Sequence, residues 1–173
     1  MPEINKLKEE IAPWLVGCVL DLGCGRNKVA DYAVGVDFGI HYDGKMKGLK
    51  LGTAANITSG WEALHEFCVE HKSTFDTLFS SHLLEDYRQP YGILLRWLRL
   101  VRIGGRVILL LPIEQKYREA TGGKSNRAHK SEWLGATDFI ERLPEKVAER
   151  VHVLYAQEEI GRWSFMVVFR RDK

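Results

Sequence analysis

The sequence predicts an open, twisted α/β sheet, mostly parallel, with helices on both faces and an antiparallel hairpin at its C-terminal end. Three observations carry that expectation. Short apolar runs alternate with segments of helical spacing through most of the chain, which favours strands and crossover helices in one sheet. Two of those runs end in an acid, Val19-Leu20-Asp21 and Val34-Gly35-Val36-Asp37, and the first is followed by the turn Gly23-Cys24-Gly25. The last two apolar runs, Val151–Ala156 and Trp163–Arg170, are joined by the turn residues Glu159-Ile160-Gly161.

The elements follow in order. Ile4, Leu7 and Ile11 have helical spacing and Pro13 closes that segment, so 1–15 reads as an N-terminal helix. Val16–Asp21 is the first strand and Ala33–Asp37 the second. The stretch between them is far shorter than a full parallel crossover needs, so its helix is short or replaced by loop. Residues 38–56 read as loop with one short strand at Gly48–Thr53. Ser59-Gly60-Trp61-Glu62 matches a capping box ahead of a helix that puts Trp61, Leu64, Cys68 and Val69 on one face. Phe75–Ser80 is a compact strand. Tyr91–Val101 is a helix with Ile93, Leu94, Trp97, Leu98 and Val101 facing the core, ended by Gly104-Gly105. Arg106–Leu111 is a buried strand stopped by Pro112. Residues 114–131 are polar and read as loop, and Thr137-Asp138 starts a helix that Pro144 bends or ends.

The chain has 173 residues, enough for one domain with a sizeable core. It divides into the N-terminal helix, a ligand-binding core over 17–112, and a C-terminal part over 113–173. A net charge of +2 is too small to mark a general polyanion binder, and nucleic acid has no support in the composition. Cys18, Cys24 and Cys68 form no C-x-x-C pair, which suits reduced thiols. No run is long enough to span a membrane and no apolar leader follows Met1, so a cytoplasmic protein is expected. No H-x-x-x-H pattern or carboxylate cluster suggests a metal site.

Ligands of open α/β sheets bind beyond the carboxyl ends of the strands, where strand order reverses. Asp21, Gly23, Gly25, Asp37 and Ser80–His82 all fall at such ends. A dinucleotide would need G-x-G-x-x-G, with a helix N-terminus for its pyrophosphate. Here Lys28 stands at the third glycine position, and Asp21 would repel a pyrophosphate. An acid there favours a cationic, phosphate-free nucleoside, and Asp37 suits its ribose hydroxyls.

These residues resemble the class I S-adenosylmethionine-dependent methyltransferases, and in particular their small type 11 branch. Leu20-Asp21-Leu22-Gly23-Cys24-Gly25 is similar to the family's first motif and Val34-Gly35-Val36-Asp37 to its second. The stretch from Phe75 to Glu85 resembles the fourth-strand motif, and Leu100–Val107 the turn into the fifth strand. The resemblance runs over about residues 17–112, with the C-terminal hairpin fitting the last two strands. It implies a Rossmann-like sheet of seven strands, the last in sequence running antiparallel. It implies S-adenosyl-L-methionine as cofactor, with Asp21, Leu22, Gly23, Cys24 and Gly25 at the methionine end. Asp37 and Phe38 would hold the ribose side, Asn56 and Ile57 the adenine, and Ser80, Ser81 and His82 the methionine side. Asn56 stands where the family usually has an acid, Asp86 where the branch often has His, and Ile103 replaces a common proline.

His82 and His129 are the candidate catalytic groups. His82, after the fourth strand, reads either as a general base or as a wall of the cofactor pocket. His129 reads either as a substrate residue or as a solvated loop residue. Glu85 reads as a first-turn acid of the next helix. Lys116, Arg118, Lys124, Arg127 and Lys130 form a basic stretch that would grip a phosphate or carboxylate, or simply be an exposed loop. Tyr87, Tyr91 and Trp133 offer a stacking wall or belong to the core. The reading that results is a methyltransferase acting on a small-molecule or glycan-like acceptor. Its alternative is a non-catalytic domain of the same fold that binds the cofactor or a partner. On either reading, a chain this short leaves room for a second copy or a partner chain to complete the substrate pocket.

Overall fold

The computed structural model describes residues 4–25, 27–36, 75–124 and 126–173. The expected strand at Gly48–Thr53, the capping box at Ser59 and its helix, and Asp37, Phe38, Asn56 and Ile57 lie outside the described residues. Among the described residues, six strands form one sheet: β1 (Val19–Leu22), β2 (Val34–Val36), β3 (Phe75–Ser81), β4 (Val101–Pro112), β5 (Val151–Ile160) and β6 (Ser164–Arg171). The spatial order is β2-β1-β3-β4-β6-β5. The first four run parallel, and β6 lies antiparallel to both β4 and β5. The chain moves outward from β1 to β2 and returns to β3 on the other side of β1. The order therefore reverses between β1 and β3, where Leu22 is in register with Ser80.

Alternate residues of the central strands serve opposite faces, as the pleat dictates. On one face Val19, Phe79, Ile108, Leu110 and Val168 pack under α1 (Ile4–Ile11) through Ile4, Leu7 and Ile11. On the other, Leu20, Leu78, Leu109 and Val167 meet α2 (Pro90–Leu98) through Ile93, Leu94, Trp97 and Leu98, with Phe139 of α4 (Ala136–Glu141) and Val147 of α5 (Glu145–Ala148). The strands are thus buried on both faces, the condition of a parallel sheet. Pro144 separates α4 from α5. Among the described residues, no helix is long and apolar enough to cross a membrane.

Two elements depart from expectation. The segment after Pro112 contains a helix, α3 (Glu114–Ala120), where apolar spacing suggested only loop. Its sole buried residue is Glu114, and it is held by pairs one turn apart, Glu114 with Arg118 at 3.0 Å and Gln115 with Glu119 at 3.0 Å. A helix sustained by such pairs leaves no hydrophobic period to read. Gly104-Gly105 does not end a helix; α2 has stopped at Leu98 and the glycines lie inside β4. A Cβ on Gly105 would lie 2.7 Å from the Asp76 carbonyl oxygen, so only glycine lets β4 approach β3 beside the register shift there.

Asp76 pins this end of the sheet. Its carboxylate accepts the Cys18 N–H at 2.7 Å and the Arg102 side chain, and it crowds Gly17, which has φ +60°. The Cys18 hydrogen bond, followed by that from Arg102, holds the carboxyl below its ordinary pKa. Asp76→Ala should cost about 1–3 kcal/mol at neutral pH, the usual penalty for removing a charged hydrogen-bond acceptor. A depressed acid contributes stability above its unfolded pKa of about 4 and loses it as pH falls through the folded value. The stability gap between wild type and variant, measured by urea unfolding, should therefore shrink below about pH 4. A gap that stays constant with pH would contradict this role.

Candidate functional site

The candidate site is assembled where β1 and β3 end side by side. β1 stops at Leu22 because Gly23 turns into the left-handed region, with φ +74°, and its N–H donates to Val36 O at 2.8 Å. A Cβ on Gly23 would lie 2.9 Å from Leu83 Cδ2, so glycine eases the packing of the turns after β1 and β3, and its left-handed backbone would strain any side chain there. Gly25 is also left-handed, with φ +53°. Asp21 is buried, and its Oδ2 accepts the Val29 N–H at 2.7 Å, which draws the returning loop back over the strand end. Cys24 is buried as well.

No helix follows the glycine turn among the described residues between β1 and β2. Lys28 replaces one in function: its Nζ donates to the carbonyls of Asp31 at 2.6 Å and Ala33 at 2.8 Å. Its stem lies over Gly35, where a Cβ would sit 2.8 Å from Lys28 Cδ. The short crossover expected from the sequence is therefore a loop closed by a lysine. Without a helix N-terminus at the glycines, the feature that makes dinucleotide sites receptive to pyrophosphate is missing there.

At the end of β3, the Ser80 hydroxyl donates to Leu22 O at 3.0 Å and ties the two strand ends together. Ser81 is half-buried. His82 has φ +51°, the one described non-glycine residue with positive φ. Its N–H donates to Leu110 O at 3.0 Å, and its Nε2 lies 3.1 Å from Ser164 Oγ at the start of β6. The His82 side chain remains 25% exposed. Such strain persists only where surrounding contacts over-determine it, and it gathers at functional sites.

Glu85 lies, as expected, in the first turn of the next helical element, a single 3₁₀ turn at Leu84–Asp86, and it is fully buried there. Among the described residues, neither of its carboxylate oxygens has a hydrogen-bond partner. Oε1 lies 3.5 Å from His82 Nδ1 and 3.7 Å from His129 Nε2. His129 is no solvated loop residue; its side chain is 5% exposed and its Nδ1 lies 2.6 Å from Glu114 Oε2. The backbone N–H groups of Lys130 and Ser131 both donate to Glu85 O, at 2.7 and 3.0 Å, and so dock the loop on the turn. Burial, then the Glu85 charge, pushes the neighbouring Asp86 carboxyl up to about 6. Sequence reasoning missed Glu85 and Glu114 as site residues, because their positions depend on the loop folding back.

The basic stretch is largely paired within the protein. Arg118 bonds Glu114 and Glu132, Lys116 pairs with Glu159, and Lys130 Nζ donates to Arg127 O. Lys124 and Arg127 are exposed. Trp133 belongs to the core against Phe139 and Phe165, with its Nε1 donating to Tyr91 Oη at 3.1 Å. A groove of about 580 Å³ runs beside it, between Arg118, Glu132 and Arg142.

No protein-family model and no curated protein sequence matches the chain. Solved structures do. A chain from a complex with the Trm112 methyltransferase activator of Haloferax volcanii is 12% identical, with TM-score 0.59, covering 99% of this chain and 90% of that one. An S-adenosylmethionine-dependent methyltransferase from Mesorhizobium loti is 13% identical, with TM-score 0.56, over 96% of each chain. One from Archaeoglobus fulgidus is 14% identical, with TM-score 0.57, over 97% and 94%. The chain has the fold of the class I S-adenosylmethionine-dependent methyltransferases. These neighbours do not single out the type 11 branch.

If His82 is held in its conformation for function, the fold should not depend on it. His82→Asn, with a residue that tolerates left-handed backbone, should leave thermal stability unchanged within about 1 kcal/mol or raise it. A loss well beyond that would make His82 a structural residue.

Proposed function

We propose that the protein is an S-adenosylmethionine-dependent methyltransferase acting on a small-molecule or glycan-like acceptor. The observation that carries this reading is the left-handed turn at Gly23, packed against Leu83 at the point where strand order reverses. It leaves backbone without side chains at the place where an open α/β sheet takes its ligand. The residues fit the cofactor: Gly23 and Gly25 allow a close approach, Asp21 supplies negative charge, and among the described residues no helix N-terminus follows the turn.

On this reading Leu22–Gly25 and Asp21 hold the methionine end, with Ser81 and His82 on its other side. Asp37 and Phe38 take the ribose and Asn56 and Ile57 the adenine. The cofactor supplies an electrophilic methyl group when bound. The protein aligns the acceptor and excludes water, which is where the rate advantage of such transfers arises. His82 takes a proton where the acceptor has one to lose.

Calorimetric titration with S-adenosylmethionine, S-adenosylhomocysteine and NAD tests the reading. The first two should bind in the micromolar range and NAD should not. Asp37→Ala should weaken S-adenosylmethionine by about 1–3 kcal/mol through loss of charged hydrogen bonds to the ribose. Gly23→Val should abolish binding, with circular dichroism showing a folded chain whose melting temperature is lowered by the strain at that turn. Binding of NAD alone, or unchanged affinity in both variants, would sink the proposal.

A further inference from the structure

His82, Glu85, His129 and Glu114 form a chain that leads inward from the candidate site. His82 is a quarter exposed at the end of β3; Glu85, His129 and Glu114 behind it are 0%, 5% and 4% exposed. Beyond Glu114 the chain continues to Arg118 at 3.0 Å and from there to Glu132, both well exposed beside the groove. It thus crosses a buried stretch between two open ends.

The middle of the chain has an unusual composition. A fully buried carboxylate without hydrogen-bond donors is costly unless charge or a proton compensates it. Glu85 is in that position, with an imidazole nitrogen on each side of Oε1. The 2.6 Å contact between His129 Nδ1 and Glu114 Oε2 has the length of a charge-assisted hydrogen bond and fixes the ring with Nε2 towards Glu85. Among the described residues, the groups facing Glu85 are His82 just after β3, its neighbour Asp86, His129 and the backbone of Lys130 and Ser131, with Glu114 of α3 one step further out.

We propose that Glu85 is a positioning residue shared by His82 and His129, and that it makes His82 a base for an acceptor that must lose a proton, a hydroxyl or an amine. This rests on the methyltransferase reading. Glu85 turns Nδ1 of His82 inward and balances the charge the ring gains. Nε2, which shares a 3.1 Å hydrogen bond with Ser164 Oγ, takes the proton as the Ser164 hydroxyl gives up its donation to that nitrogen. The balance is simple. The acceptor's lone pair forms the new bond to the methyl carbon, the carbon–sulfur bond breaks with its electrons left on sulfur, and the acceptor's proton passes to His82. A carboxylate or thioether acceptor has no such proton and would have no use for the chain. The separations of 3.5 and 3.7 Å are longer than hydrogen bonds, as catalytic contacts often are before ligand binds.

The test is ring-nitrogen NMR of the ¹⁵N-histidine-labelled protein, with His82 and His129 assigned by His82→Asn and His129→Asn. In Glu85→Gln the ring signals of both histidines should move, while S-adenosylmethionine affinity measured by calorimetry stays within twofold of wild type. If either ring is unaffected, the shared carboxylate is refuted. If Glu85→Gln does not fold, Glu114→Gln takes its place: the His129 ring signals should move, and the His82 signals should respond through Glu85. An unmoved His82 would again refute the proposal. Labelled methyl transfer to a panel of alcohols, phenols, amines, carboxylates and thioethers supplies the second arm. Incorporation into hydroxyls or amines, with kcat at least tenfold lower in Glu85→Gln and the cofactor KM unchanged, supports the proposal; methylated carboxylates or thioethers overturn it. Wild-type protein that binds no S-adenosylmethionine would sink the methyltransferase reading instead, and leaves the ring-nitrogen result to stand or fall by itself.

Discussion

The arrangement depends on one close approach, that of Gly23 to Leu83. Adjacent parallel strands that end in register must send their chains away from each other at once. β1 and β3 end in register, with Leu22 opposite Ser80. The chain leaves β1 through a left-handed glycine, where a side chain would be strained and would crowd Leu83. It leaves β3 through His82, also left-handed but without a glycine's freedom. The two turns meet at the contact of Gly23 with Leu83, with backbone at Gly23 on one side and the His82 imidazole following Ser81 on the other.

Around that point the chain meets its polar demands locally. Asp21 captures the Val29 amide, Lys28 closes the carbonyls of the short crossover, and Ser80 bonds the neighbouring strand. These contacts replace the helix that such crossovers ordinarily carry. The C-terminal part treats its charges in the same way. Most of its basic stretch is paired with acids or with backbone, so the loop is an ordered cover over the Leu84–Asp86 turn rather than a free cationic surface. The expectation of an anion grip at Lys116, Arg118 and Lys130 loses ground for that reason, while the buried acid–histidine chain comes forward.

Much of the fold was legible because its strands carry signals that are local. The runs at Val19, Val34, Phe75 and Arg106 are apolar on both faces, and the acids and glycines at their ends mark where a ligand would lie. The C-terminal hairpin shows through its turn at Gly161. The polar helix α3 was not legible, since pairs such as Glu114 with Arg118 leave no apolar period. Gly104-Gly105 looks like a helix stop from sequence, yet the steric demand it answers comes from Asp76 on another strand. Glu85 and His129 lie far apart in sequence and are brought together by backbone hydrogen bonds from Lys130 and Ser131 to Glu85, which no spacing encodes. His82 was found by position, but its left-handed backbone and its Ser164 contact belong to the tertiary structure alone.

The central claim is that the ligand lies between the Gly23 turn and His82. A crystal structure of the protein grown with S-adenosylhomocysteine tests it most directly. The account predicts density for the amino-acid end of the ligand against the backbone of Gly23–Gly25, within contact distance of Ser81 and His82. Density in the groove beside Trp133 and Arg142, with the glycine turn empty, would contradict it.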